Sequence, residues 1–113
     1  MSDVLALADR FFAAIEAGDM AAIDAIYADD ATVWHNHDGK YESRERNRRT
    51  LAFLCQTLSK RRYDVHRRYE VPGGFAQEHT LTGILPDGSA FALSAAIFAD
   101  VKAGRITAIR EYF

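Results

Sequence analysis

The chain has little with which to staple, anchor or tether itself. Its 113 residues include a single cysteine, so no disulfide can form within it. Two prolines leave no proline-rich linker, and there is no low-complexity tract and no internal repeat. No apolar run approaches the ~20 residues a membrane-spanning helix needs. The opening segment, from Met1 to Leu5, lacks the basic start and long apolar stretch of a secretory signal, so the expected location is the cytoplasm, away from membranes. Gly-x-Gly-x-x-Gly and phosphate-loop patterns are missing, so no cofactor is expected. A formal net charge of −2 gives no global attraction to nucleic acid, and none is expected as a partner.

What is present is ordinary globular material, 49% hydrophobic and 27% charged, with room for one domain and one core. The charge is unevenly laid out. Residues 1–39 hold eight acids and one base, whereas residues 40–70 hold ten bases and four acids. This reads as a solvated helix face plus an edge strand, with a basic patch for an anionic partner as the alternative. Cys55, beside Leu51, Leu54 and Leu58, is expected to pack in the core rather than react.

Val4, Ala8, Phe11, Phe12 and Ile15 recur at helical steps, after a cap at Ser2 or Asp3. Gly18 ends that helix, and Asp19 caps a shorter one with Met20, Ile23, Ile26 and Tyr27 on its apolar side. Ala31 to Trp34 reads as a short strand and Lys40 to Glu42 as another. Ser43 caps a third helix, roughly Arg44 to Ser59. Its arginines Arg44, Arg46, Arg48 and Arg49 lie early, where the helix dipole disfavours cations. Beyond it the period becomes two. Residues 61–71, 75–85, 89–99 and 105–113 read as four strands joined by short glycine-bearing turns, an antiparallel meander. Helices first and a meander afterwards predict an α+β domain, with helices on one face of a curved sheet.

The last two of these strands are apolar on both sides. Phe91, Leu93 and Ile97 oppose Ala90, Ala92, Ala96 and Phe98, while Ile106, Ala108 and Tyr112 oppose Ile109 and Phe113. Helices can cover only one side, so a second copy of the chain is expected on the other, giving a homodimer through the outer sheet face.

Chemistry-bearing side chains concentrate in Trp34, His35, Asn36, His37 and Asp38, at a strand end before the Gly39 turn. Alternation lets either Trp34 and Asn36 or His35 and His37 face inward, and the sequence leaves that choice open. His35 is a candidate base and Asn36 a candidate holder of a water or a carbonyl oxygen. The His35-x-His37-Asp38 spacing has no third histidine or thiol to complete a metal site, so no metal is expected. Glu111, with strand mates Thr107, Ile109 and Phe113, would lose solvation if it faces a pocket. His79 shares its strand face with Phe75, Gln77 and Leu81. A His79–Glu111 pair, acting as base and orienter, is the sharpest catalytic expectation. Tyr63, Val65, Arg67, Tyr69 and Val71 share one strand face, so Tyr63 and Tyr69 would line the pocket together if that face is inward.

The order helix, helix, short strand, helix, meander resembles the nuclear-transport-factor-2-like superfamily, in particular its SnoaL-like branch. The markers are residues 17–34, AGDMAAIDAIYADDATVW, and residues 104–113, GRITAIREYF. The resemblance spans essentially the whole chain, 1–113, and implies a cone-shaped sheet wrapped around three helices with an apolar pocket inside. It implies a small apolar or aromatic ligand and acid–base chemistry of isomerase, hydratase or hydrolase type. The alternative is a non-catalytic ligand-binding or dimerisation module. The position of the ketosteroid-isomerase base falls at His35, and that of its helix tyrosine at Phe11, which places Phe11 at the pocket. Trp34, His35 and Asn36 resemble the Tyr-x-Asn element of limonene-epoxide hydrolases, with Trp34 at the pocket and Glu111 where an aspartate stands. His79 resembles the middle-strand histidine of SnoaL-like cyclases, whose catalytic aspartate falls near Ala96.

Overall fold

The computed structural model describes residues 3–113. Helix α1 spans Asp3–Ala17 and α2 spans Met20–Ile26. Strands β1 (Tyr27–His35) and β2 (Lys40–Ser43) precede helix α3 (Arg44–Thr57). Strands β3 (Ser59–Val71), β4 (Gly74–Ile84), β5 (Ala90–Lys102) and β6 (Arg105–Tyr112) complete the chain. The Asp19 side chain accepts from Ala22 N at 3.1 Å and Ser43 Oγ from Arg46 N at 3.2 Å, so both predicted caps are in place. A cap at Ser2 lies outside the described residues.

The strands form one unclosed sheet in the order β2-β1-β6-β5-β4-β3. It is mixed rather than purely antiparallel: β1 pairs with β6 in parallel, and every other neighbouring pair runs antiparallel. The architecture is the expected α+β cone. One face of the sheet closes on the helices around Phe11, Phe12, Ile23, Tyr27, Phe75 and Ile106, all at most 5% exposed. Gly83 marks the tight contact between β4 and the end of α3, since a Cβ there would meet Leu58 Cγ at 2.5 Å.

Two register shifts decide which side chains enter the core. In β3, Val65 pairs with His79 but Arg67 pairs with Glu78, so one extra residue is inserted around His66. In β6, Ile106 pairs with Val101 and Ala108 with Asp100, which leaves Thr107 without a partner. Such a bulge reverses the alternation beyond it. Ile106 and Ile109 therefore both point into the core. The doubly apolar pattern of β6 thus arises partly from its bulge, not only from two covered faces.

Two of the arginines early in α3 are tied to Asp24, one to its carboxylate and one to its backbone. Arg48 Nε reaches both Asp24 carboxylate oxygens, at 2.9 and 3.0 Å, and Arg44 Nη2 donates to Asp24 O at 2.9 Å. Arg61 closes two helix ends at once. Its guanidinium donates to the carbonyls of Ile15 (3.0 Å) and Glu16 (3.1 Å) in α1, and to those of Cys55 (2.7 Å) and Leu58 (2.6 Å) at the end of α3. Cys55 is half-buried at this junction, with Sγ 3.6 Å from Ile15 O.

Candidate functional site

Between the sheet and the helices lies a cavity of ≈ 390 Å³. Its walls are mostly apolar, with Phe11, Phe12, Leu51, Leu54, Phe91 and Leu93 among them. Three hydrogen-bonded polar groupings interrupt the wall.

The first stands where β1 meets β6. The parallel register pairs His35 with Glu111, which puts both side chains on the inner face. His35 Nε2 lies 3.0 Å from Glu111 Oε1, and both side chains are mostly shielded, 16% and 24% exposed. A carboxylate only accepts, so the imidazole Nε2–H donates and Nδ1 is left as the second titrating nitrogen. The hydrogen bond to Glu111 raises the His35 pKa from its ordinary value, against the opposing pull of burial. His37 and Phe113 flank the pair at the cavity mouth, their rings 5.2 Å apart.

The second is on β4. His79 is 2% exposed, its ring 4.9 Å from Tyr63 and 5.5 Å from Phe12, and its Nδ1 lies 2.8 Å from Gln77 Nε2. Burial lowers the His79 pKa, which favours the neutral ring. Tyr63 also lines the cavity, and burial raises the pKa of its hydroxyl, which stays protonated.

The third joins β1, β2 and α3. Tyr27 Oη donates to Asn47 Oδ1 at 2.7 Å, and Asn47 Nδ2 donates to Glu42 Oε1 at 2.9 Å. Thr50 Oγ1 donates to the other oxygen of Glu42 at 2.8 Å. The sequence reading did not single out this cluster as a site. A polar Asn47 on the same helix face as Leu51 and Leu54 is the signal that would have shown it, because an amide on a buried face needs a partner.

Glu111, His79, His35, Tyr63 and Phe11 all line the cavity, but not in the arrangement expected. Glu111 is bonded to His35, not to His79. The inner row runs Gln77–Ile97–Glu111–His35, so Ile97 stands between the β4 and β6 side chains. His79 is displaced two residues along β4, and at ~4.8 Å per strand its Cα lies more than ~10 Å from that of Glu111.

Three expected lining residues lie elsewhere. Trp34 is on the outer face, its ring 5.2 Å from Tyr112, because β1 pairs with β6 in the register that turns His35 inward. The Asn36 amide is engaged within the chain: Oδ1 accepts from Phe113 N at 3.0 Å and Nδ2 donates to Phe113 O at 3.1 Å, tying Phe113 beside the mouth. Tyr69 is 59% exposed on the outer face, because the β3 bulge separates its parity from that of Tyr63. Past that bulge Arg68, not Arg67 or Tyr69, turns toward the interior, 15% exposed and bonded to Gln77. Among the described residues no group of three or more His, Cys, Asp or Glu side chains is arranged to hold a metal ion. No helix among them is long and apolar enough to cross a membrane.

The SnoaL-like domain model matches residues 8–109. The chain belongs to that family. No curated protein sequence matches it. Among solved structures, this SnoaL-like domain is similar to an epoxide hydrolase of the LEH-like type from M. tuberculosis, with TM-score 0.83 and 20% identity over 98% of this chain and 82% of that one. It is similar to a hypothetical protein of ketosteroid isomerase-like fold from Catenulispora acidiphila in complex with trimethylamine, with TM-score 0.82 and 17% identity over 95% and 84% of the two chains. It is also similar to TerC crystallised with polyporic acid, with TM-score 0.83 and 15% identity over 99% and 92%. At these identities the likeness establishes the nuclear-transport-factor-2-like fold and leaves the chemistry to the side chains.

Proposed function

We propose that this SnoaL-like domain binds a small, largely apolar molecule in the cavity and acts on it by cofactor-independent acid–base chemistry of isomerase, hydratase or hydrolase type. The observation that carries this reading is the His35–Glu111 pair at 3.0 Å in the wall of an otherwise apolar cavity. Glu111 holds the imidazole by its Nε2–H and stabilises the imidazolium once a proton arrives at Nδ1. A C–H beside a carbonyl, or a water attacking an electrophile, would supply that proton. The bound small molecules in the trimethylamine and polyporic acid complexes support a ligand-binding use of this fold.

The test uses cyclohexanone in D₂O, with deuterium entry at the carbons next to the carbonyl followed by NMR. Exchange faster than buffer, lost in Glu111→Gln and in His35→Gln, supports the reading. Exchange at the buffer rate, with the ketone still bound, makes the domain a binding module and removes the catalytic claim.

We further propose that a second copy covers the outer sheet face. One hydrogen-bonded row crosses all six strands there: Tyr69, Ala76, Phe98, Arg110, Trp34 and Tyr41. Tyr69, Phe98 and Tyr41 are 59%, 44% and 68% exposed, a breadth of aromatic surface that a solitary domain rarely leaves in water.

A further inference from the structure

The acid–base reading leaves unused the polar thread behind His79. Arg68 Nη1 pairs with Asp9, and Arg68 Nε donates to Gln77 Oε1 at 2.6 Å. A guanidinium has no acceptor, so Gln77 must turn its carbonyl oxygen to Arg68 and its NH₂ the other way. That NH₂ meets His79 Nδ1 at 2.8 Å. An amide NH₂ only donates, so Nδ1 must be the bare, accepting nitrogen. The single ring proton of the neutral imidazole then sits on Nε2. No described residue accepts a hydrogen bond from Nε2, and His79 lines the cavity.

The surrounding groups keep the ring in that state. Burial, Arg68 and His66 all lower its proton affinity, and only Glu111 across the cavity works against them. The rings of Phe12 and Tyr63 fix its orientation. With Nδ1 engaged and Nε2 carrying its proton, His79 has no free lone pair. It cannot serve as the base that its position suggests, but it can donate.

We propose that Asp9, Arg68 and Gln77 act as a positioning relay that fixes His79 as a neutral Nε2–H donor, so that the cavity seats an uncharged oxygen acceptor of its ligand at that nitrogen. The relay brings the influence of a half-buried cation to the site without placing a cation in it. Among the described residues no lysine or arginine lines the cavity, whereas Asp38, Glu42 and Glu111 do, so a ligand carboxylate or phosphate meets no lysine or arginine partner there. The ligand part of this inference rests on the cavity being a binding site, as proposed above, but not on catalysis. The tautomer rests on neither.

The experiment is a long-range ¹H–¹⁵N correlation spectrum of histidine-labelled protein, with His79 identified by its loss in His79→Phe. The expected result is a neutral ring protonated at Nε2, which stays neutral as the pH is lowered past the titration of His35. In Gln77→Glu the new carboxylate accepts from Nδ1–H, so the Nδ1 signal moves to the protonated range, a change that loss of packing alone would not cause. A ring protonated at Nδ1, or an imidazolium at neutral pH, in the wild-type protein overturns the relay whether or not the variant folds. The ligand half is read with cyclohexanone against methylenecyclohexane, the same ring with CH₂ in place of oxygen. The ketone should bind roughly three- to tenfold more tightly and shift the His79 Nε2 signal. Equal binding of the two, or binding of neither, overturns the acceptor assignment even if the tautomer is as expected. Deuterium exchange at the buffer rate would leave both results standing, so the two proposals fail separately.

Discussion

The inner and outer faces of the sheet are built from adjacent rows of the same strands and put their side chains to opposite uses. Inside, the row Gln77–Ile97–Glu111–His35 sets hydrogen-bonding groups in an apolar wall, with Glu111 bonded to His35 and Gln77 to Arg68 and His79. Outside, one residue along, the row Tyr69–Ala76–Phe98–Arg110–Trp34–Tyr41 presents rings to solvent, with one ion pair, Arg110 to Asp100 at 3.2 Å. Polarity within the cavity is costly unless satisfied, which is why most of it is gathered into three bonded clusters. Apolar area on the outside is cheap to carry but prone to association, so a row of that breadth is best explained by a partner. A one-residue bulge is enough to move a side chain from one set of rules to the other.

The largest expected contrast between the faces lies in stability. Phe75→Ala, at a residue with no exposed surface, should lower the unfolding free energy by about 3–5 kcal/mol in denaturant titration. Phe98→Ala, on the outer face, should stay within about 0.5 kcal/mol when measured on dilute monomer. Equal losses would mean that the outer row is already buried in the monomer, and the comparison would fail.

The polar cluster around Asn47 comes next. Asn47→Ala strands the buried Tyr27 hydroxyl without its acceptor and should cost about 1–3 kcal/mol. Asn47→Asp, which keeps an acceptor for Tyr27 but sets a second carboxylate against Glu42, should do similar harm at neutral pH and recover as the pH falls. A harmless Asn47→Ala would show that water replaces the amide.

On the outside, Phe98→Asp should weaken self-association by more than about tenfold in sedimentation equilibrium, because it places a charge at the centre of the row. The wild-type chain is expected to sediment as a dimer. A monomer at micromolar concentration would remove the second copy and leave the exposed rings without an explanation.

The mildest effect is the pH dependence of the inner pair. His35 has a folded-state pKa raised above its unfolded value of 6.5. Its contribution is therefore present below that value and is lost as the pH rises through the raised folded value. The melting temperatures of wild type and Glu111→Gln should thus differ most on the acid side and converge toward alkaline pH. A gap that widened with rising pH would reverse the assigned sign.

Much of this was legible in the sequence. Helical spacing in residues 4–15, the caps Asp19 and Ser43, and the glycine turns after residue 71 are local signals, and the chain obeys them. The parallel pairing of β1 with β6 was not visible, because it joins segments over seventy residues apart and leaves no mark in either. That same pairing resolved the open choice between Trp34 and His35. Tyr69 was misplaced because alternation was carried through the bulge around His66, and a bulge is set by the partner strand rather than by local composition. The Arg68–Gln77–His79 thread was hidden for the same reason: before the bulge is known, alternation puts Arg68 on the face opposite Tyr63. The His79–Glu111 pairing failed on distance, since Ile97 lies on the strand between them.

The central claim is that the inner row is a coupled proton-handling pair and not two neighbours in a wall. An NMR titration of His35 in wild type and in Glu111→Gln tests it most directly. The account predicts a midpoint above 6.5 in the wild-type protein, falling in the variant once the hydrogen bond partner is neutral, with a further shift when cyclohexanone fills the cavity. A midpoint at or below the ordinary histidine value that is the same in both proteins and indifferent to the ketone would contradict it.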